Sequence, residues 1–156
     1  MRMKRLGFFL LCAAILLVFA GCAEKTPPLG DISSLVPDVP PNITMEVVPD
    51  TVTPTGLTLS MEIRNTELIS GNLNDFHLEY FQDGQWYIIE TGLFNNTTEA
   101  MIFSGGQRTF NIHWSQIYGT LPAGHYRFVK SFTTVVPDGD TGPSQSLHLT
   151  AEFDIP

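Results

Sequence analysis

Cysteine and positive charge are both scarce in this chain, and each scarcity excludes something. The only cysteines among 156 residues are Cys12 and Cys22. Cys12 lies in the apolar run Leu6–Val18. A chain cut before Cys22 therefore keeps one cysteine, at its new N-terminus, and has no internal disulfide. Packing alone then has to hold the fold, which is feasible at this size but leaves modest stability. Lys and Arg number 8 against 16 Asp and Glu, a net charge of −8. Arg2, Lys4 and Arg5 all fall within the first 21 residues, which contain no acid. Without that segment the balance is 5 basic against 16 acidic residues, or −11. Such a surface repels phosphate backbones, so nucleic acid is excluded as an expected partner. It also repels anionic lipid, so any membrane attachment has to come from something other than charge.

Signatures of catalysis and metal binding are missing too. The sequence contains no HExxH, no CxxC, no carboxylate-rich calcium loop and no Gly-x-Ser-x-Gly elbow. Asp138-Gly139-Asp140 starts like a calcium loop but lacks the later ligands, including a glutamate at the twelfth position. His77, His113, His125 and His148 fall in separate segments, most of them at outward strand positions. Ser104-Gly105-Gly106 reads as a turn. Glu62 and Glu79 could share a face, an arrangement that on a sheet is more often solubilising than catalytic. No catalytic residue, metal ligand or cofactor is expected, and the chain is read as non-enzymatic.

The N-terminus is informative. Met1–Arg5 is basic, Leu6–Val18 is apolar, and Phe19-Ala20-Gly21 precedes Cys22. A basic start, an apolar centre and small residues before a cut make a signal peptide. The apolar stretch Leu6–Ala20, about 15 residues, falls short of the ~20 that span a bilayer. Ala20-Gly21-Cys22 resembles a bacterial lipobox, with Phe19 standing where that motif has an aliphatic residue. The resemblance implies cleavage after residue 21 and a diacylglyceryl group on Cys22, which would hold the protein at the extracytoplasmic face of the cell membrane. Residues 22–42 follow, with Pro27, Pro28, Pro37, Pro40 and Pro41. They read as an extended tether, although Ile32, Leu35 and Val36 could dock on the domain. The domain is expected over 43–156.

From Ile43 onward the hydrophobic pattern has period two. Leu57, Leu59, Met61 and Ile63 alternate with Thr58, Ser60 and Glu62. Phe76, Leu78 and Tyr80 alternate with His77, Glu79 and Phe81, and the same holds around Phe110–Trp114 and Leu147–Ile155. One apolar and one wet face marks antiparallel strands on a core. Asp83-Gly84 is a hairpin turn signal, and Pro54-Thr55-Gly56, Pro122-Ala123-Gly124 and Pro137-Asp138-Gly139 punctuate the rest. The pattern predicts strands over 43–48, 57–64, 76–82, 85–90, 100–103, 107–114, 124–134 and 145–155, with one helical turn at Ser115–Tyr118. Seven or eight short strands at this spacing predict an all-β antiparallel sandwich of immunoglobulin-like type. Tyr126, at the start of the penultimate strand, is either a tyrosine corner or simply a buried aromatic. Tyr80, Phe81, Trp86, Tyr87 and Phe94 cluster around the hairpin. Phe81 and Tyr87 point outward if Tyr80 and Trp86 point in, which makes Phe81 and Tyr87 the candidate contact residues.

The run Gly106–Trp114, then Ile117-Tyr118-Gly119 and Leu121-Pro122-Ala123-Gly124-His125-Tyr126-Arg127, resembles a bacterial immunoglobulin-like domain family found in lipoproteins and membrane-tethered proteins of Gram-positive bacteria. The closing strand Leu149–Ile155 and the hairpin Tyr80–Tyr87 fit it as well. The resemblance implies the fold and an envelope location, and it brings no catalytic residues. The expected function is a binding or scaffolding module at the cell envelope, with an envelope protein or a glycan as its partner. The alternatives are an envelope enzyme or metal-binding accessory protein, and a purely structural spacer.

Overall fold

The computed structural model describes residues 26–64, 69–72, 75–91, 101–135 and 143–156. The leader, Cys22, Phe94 and the Asp138-Gly139-Asp140 turn lie outside the described residues. Within them the chain forms two antiparallel sheets packed face to face. The smaller sheet has the order β2 (Ile43–Val47), β3 (Gly56–Ile63), β8 (Gly106–His113). The larger starts with β1 (Leu29–Ile32), then β6 (Gln85–Ile89), β5 (Phe76–Gln82) and β9 (Gly124–Thr134). Strand β10 (Ser146–Ile155) pairs with β9. On the opposite edge of β9, beyond the part paired with β5, lies β4 (Ile69–Gly71), which in turn pairs with β7 (Met101–Phe103). Residues Ser115–Tyr118 make one helical turn, α1. No helix among the described residues is long and apolar enough to cross a membrane.

All eight predicted strands are present, and two short ones, β1 and β4, were not expected. Strand β1 carries a glycine and sits in a proline-rich stretch, so its own pattern does not mark it. It forms because the edge of β6 offers it backbone partners: Leu29 pairs with Ile89 and Ile32 with Tyr87. The segment read as a tether is thus bound to the sheet over part of its length.

Alternation puts Leu57, Leu59, Met61 and Ile63 of β3 inward, opposite Phe128, Leu149, Ala151 and Phe153 of the larger sheet, and all of these are buried. Trp114 is fully buried and stacks on Phe153, with centroids 5.6 Å apart. Its indole N–H donates to the Pro54 carbonyl at 3.0 Å, as a buried tryptophan requires. Each such buried aromatic contributes roughly 1.5–3 kcal/mol from removal of apolar surface alone.

Two local features explain parts of the sequence. Asp83 and Gly84 both have positive φ, 52° and 80°, which gives the two-residue turn that matches strand twist. Gly124 packs where a Cβ would lie 2.5 Å from Tyr80 Cε2, so a side chain there would displace a core ring. Two residues on, Tyr126 is fully buried and its hydroxyl donates to the Pro122 carbonyl four residues upstream, at 2.7 Å. This is a tyrosine corner. Burial, reinforced by neighbouring Tyr80, pushes the Tyr126 hydroxyl well above the usual tyrosine range.

Candidate functional site

The turn geometry fixes which hairpin aromatics share a face. Gln82 pairs with Gln85, so Phe81 lies opposite Trp86 and Tyr80 opposite Tyr87. Directly opposed residues project to the same side of a sheet. Phe81 and Trp86 therefore share the outer face, while Tyr80 and Tyr87 share the inner one. This corrects the expectation that Phe81 and Tyr87 point outward together. Phe81 is 39% exposed, whereas Tyr87 is half-buried at the inner edge, its hydroxyl 3.4 Å from Gln85 Oε1.

On the outer face three rings meet. Phe81 and Trp86 have centroids 5.0 Å apart, Trp86 and His125 5.3 Å, and Phe81 and His125 5.7 Å. His125 Nδ1 lies 2.8 Å from Asp154, and its Nε2 3.4 Å from Glu152. The patch is thus aromatic in the middle and carboxylate along one rim. Trp86 is held from below, since the Arg127 guanidinium lies 4.6 Å from its ring centre.

Beneath the patch lies a buried ion pair. Glu79 is 0% exposed and Arg127 4%. Nε and Nη2 of Arg127 both reach Glu79 Oε2 at 2.5 Å. The other carboxylate oxygen accepts from the Ser33 hydroxyl at 2.7 Å and faces His77 Nε2 at 2.9 Å. Burial would raise the Glu79 carboxyl, but the bonds from His77, Ser33 and Arg127, with the charge of Arg127, outweigh it and hold the group below the usual carboxylate range. The sequence offered Glu79 only as a possible face-sharing partner of Glu62 and gave Arg127 no role of its own. Both occupy outward positions, where alternation predicts solvent, and they are 48 residues apart.

What keeps water off this pair is the N-terminal segment. The Ser33 N–H donates to the Trp86 carbonyl at the edge of β6. Five residues later the Asp38 N–H donates to the His148 carbonyl, and Asp38 Oδ2 accepts from the His148 N–H at 2.7 Å, on β10 at the far side of the same sheet. Residues 33–38 therefore strap the outer face of the larger sheet. Leu35 and Pro37 are partly buried, while Ser34, Val36 and Val39 face solvent.

The remaining candidates separate. Glu62 projects from the outer face of the smaller sheet, on the opposite side of the sandwich from Glu79, so these two carboxylates share no face. His77 joins Glu79, His125 joins the ring patch, and His148 Nδ1 meets Ser131 Oγ at 2.9 Å. His113 is exposed on β8. Among the described residues no group of three or more His, Cys, Asp or Glu is placed to hold a metal ion. Lys130 is the other buried charge. It points inward from β9, and its ammonium donates to the backbone carbonyls of Asn72 and Asp75. Desolvation lowers its pKa to about 8, against a smaller opposing effect of Asp75.

No curated protein and no solved structure matches the chain. The family profile described as bacterial Ig-like domain matches residues 40–154. That span runs from just before β2 to the penultimate residue of β10 and takes in every strand but β1, so the chain belongs to the bacterial Ig-like domain family.

Proposed function

We propose that the protein is a lipoprotein held through Cys22 at the extracytoplasmic face of the cell membrane, and that its Ig-like domain is a binding or scaffolding module of the envelope. The observation that carries the binding reading is the Phe81–Trp86–His125 patch, in which exposed Phe81 packs against the half-buried Trp86 and His125 rings and Arg127 supports Trp86 from below. Rings held in place lose little entropy when a partner covers them. A protein surface or a glycan suits such a patch. The leader and the Ala20-Gly21-Cys22 sequence support the anchor. With each buried methylene contributing roughly 0.8 kcal/mol, two or three acyl chains anchor stably where charge cannot. The Ig-like family fits a binding or structural role.

Two measurements test this reading. Labelled palmitate should enter the wild-type protein in its host and not the Cys22→Ala variant; equal labelling of both removes the anchor. Crosslinking in intact cells should capture an envelope component with the full-length protein and lose it with Phe81→Ala. Capture that ignores Phe81 removes the patch from the reading.

A further inference from the structure

The register of the larger sheet sets rings and carboxylates in one row across its outer face. Trp86 lies opposite Phe81, Phe81 packs on His125, and His125 pairs with Asp154. Glu152 stands two residues along β10 from Asp154, on the same face and opposite Arg127. His125 therefore has rings on one side and carboxylates on the other. Its Nδ1 is 2.8 Å from Asp154 and its Nε2 3.4 Å from Glu152. A carboxylate can only accept, so the bond to Asp154 uses the ring's N–H at Nδ1. In the neutral ring Nε2 is then an acceptor as well. Nε2 and the Glu152 carboxylate are thus two acceptors facing each other across 3.4 Å, and they repel unless one donor serves both. Among the described residues the cation nearest in register, Arg127, is engaged by Glu79. Lys130 points inward, and Arg64 and Arg108 lie with the smaller sheet.

The donor that fits is a cation with an apolar stem of its own. Phe81 is exposed, while Trp86 and His125 are half-buried and packed on each other. The patch thus offers one largely open ring, not the broad flat face on which a sugar stacks. The methylenes of a lysine need no more than that, and a cation beside the ring is attracted to it. An ammonium has three donors and no acceptor, so one group can serve both Nε2 and Glu152, with Asp154 adding charge of the right sign. The strand order directs the patch outward. Strand β1 enters the sheet at Leu29, beside Ile89, and runs toward the hairpin, so an anchor at Cys22 would hold the end of β6 away from Trp86. That leaves the patch to other proteins and not to the headgroups of the anchoring membrane. We propose that the patch takes a lysine side chain of a partner protein, its stem on Phe81 and its ammonium donating to Glu152 and to Nε2 of neutral His125. The proposal rests on the domain being a binding module and names the group that the module reads.

The probe is a short peptide capped at both ends, with one central lysine among glycine and serine. It is titrated into the isotopically labelled full chain in neutral detergent micelles at pH 7.5 and low salt. The magnetic resonance signals of Phe81, the Trp86 indole, the His125 ring and Glu152 should shift together. The same peptide with acetyl-lysine, which keeps the stem and loses the charge, should bind about fivefold more weakly. Glu152→Gln should weaken the lysine peptide about fivefold and leave the acetyl-lysine peptide unaffected. The charged groups about the His125 ring are Asp154 and Glu152 of β10 and the engaged Arg127 of β9; its neighbours on β5 and β6, Phe81 and Trp86, carry no charge. A second proton on the ring lets Nε2 donate to Glu152 in the ammonium's place. The lysine peptide should therefore bind more weakly at pH 5.5 than at pH 7.5, and His125→Phe should abolish that difference. Equal binding of the two peptides overturns the proposal, and so does lysine binding that ignores Glu152→Gln or keeps its pH dependence in His125→Phe. Shifts at the same residues with an N-acetylglucosamine disaccharide, and none with the lysine peptide, would overturn it in favour of a sugar site. A partner crosslinked through Phe81 in cells, with no response to the lysine peptide, would leave the binding module standing and remove only its ligand.

Discussion

Two arginine–glutamate pairs sit on the two outer faces of the sandwich, and only their surroundings differ. Arg64 and Glu62, on the smaller sheet, approach to 2.8 Å with side chains 60% and 42% exposed. Arg127 and Glu79, on the larger sheet, approach to 2.5 Å with 5% and 0% exposed. In water the first pair exchanges one set of partners for another, so its net worth is small. The second has no water to fall back on, because the strap and Trp86 cover it. Its value lies less in the attraction than in the cost of leaving either partner alone. Geometry in an ion pair therefore says little until burial is known.

The sharpest way to break this comparison is to remove one partner of the buried pair. Glu79→Ala leaves Arg127 charged and covered and should cost about 3–5 kcal/mol in denaturant unfolding. Replacing both, as Glu79→Leu with Arg127→Met, should restore much of that loss, because no orphaned charge remains. If the single and double variants are equally unstable, packing of the Arg127 stem on Trp86 is the larger effect. The pH dependence carries the same information. Because the folded Glu79 carboxyl lies below its ordinary value of 4.5, its contribution is present above that pH and is lost as pH falls through the folded pKa.

Lys130, inward on β9, gives a rise of stability with pH at the other end of the pH range. Its folded pKa of about 8 lies under the ordinary lysine value of 10.5. Between these values the unfolded chain holds a proton that the folded one has released, so stability should rise from pH 8 toward 10.5. The gain is on the order of 2–3 kcal/mol. Lys130→Met should flatten the rise, read as the unfolding midpoint in urea at pH 7.5 and 9.5. A midpoint that climbs equally in both proteins would assign the effect to other groups.

Smaller effects test the strap and the tyrosine corner. Ser33→Ala removes a hydroxyl donor to a buried carboxylate and should cost about 1.5 kcal/mol. Its specific mark is faster amide exchange at Ser33 and Asp38, the two residues whose backbone N–H groups bond to the larger sheet. Tyr126→Phe leaves the partly buried Pro122 carbonyl without its donor and should cost about 1 kcal/mol, with exchange in the strap unchanged.

The difference between the two faces also marks where the sequence was readable. Eight strands announced themselves through period-two patterning over five or more residues or through flanking turns, and Gly124-His125-Tyr126 offered the corner as one of two readings of Tyr126. Strands β1 and β4, with 4 and 3 residues, are too short to show a period, and they exist because neighbouring edges receive them. The facing of the hairpin aromatics was legible in principle. The Asp83-Gly84 turn already sets Gln82 opposite Gln85, and counting back one pair joins Phe81 to Trp86. The Glu79–Arg127 pair was not legible. It depends on the register of strands separated by 48 residues and on a strap whose prolines read as a free linker. A buried ion pair at outward positions looks, in sequence, the same as two solvated charges.

That ambiguity gives the smallest prediction its use. Glu62 and Arg64 sit in β3 and just beyond its end, as ordinary in sequence as Glu79 and Arg127. The bond to Arg64, and then its charge, lowers the Glu62 carboxyl, so the contact is real. Both ends remain in solvent, however, and salt screens what attraction there is. Glu62→Gln should leave the denaturation midpoint where it was, at low salt and at high salt alike, and Arg64→Gln should do the same. A shift comparable with that of Glu79→Ala would mean that something covers this face too, and the contrast between the two faces would no longer rest on burial.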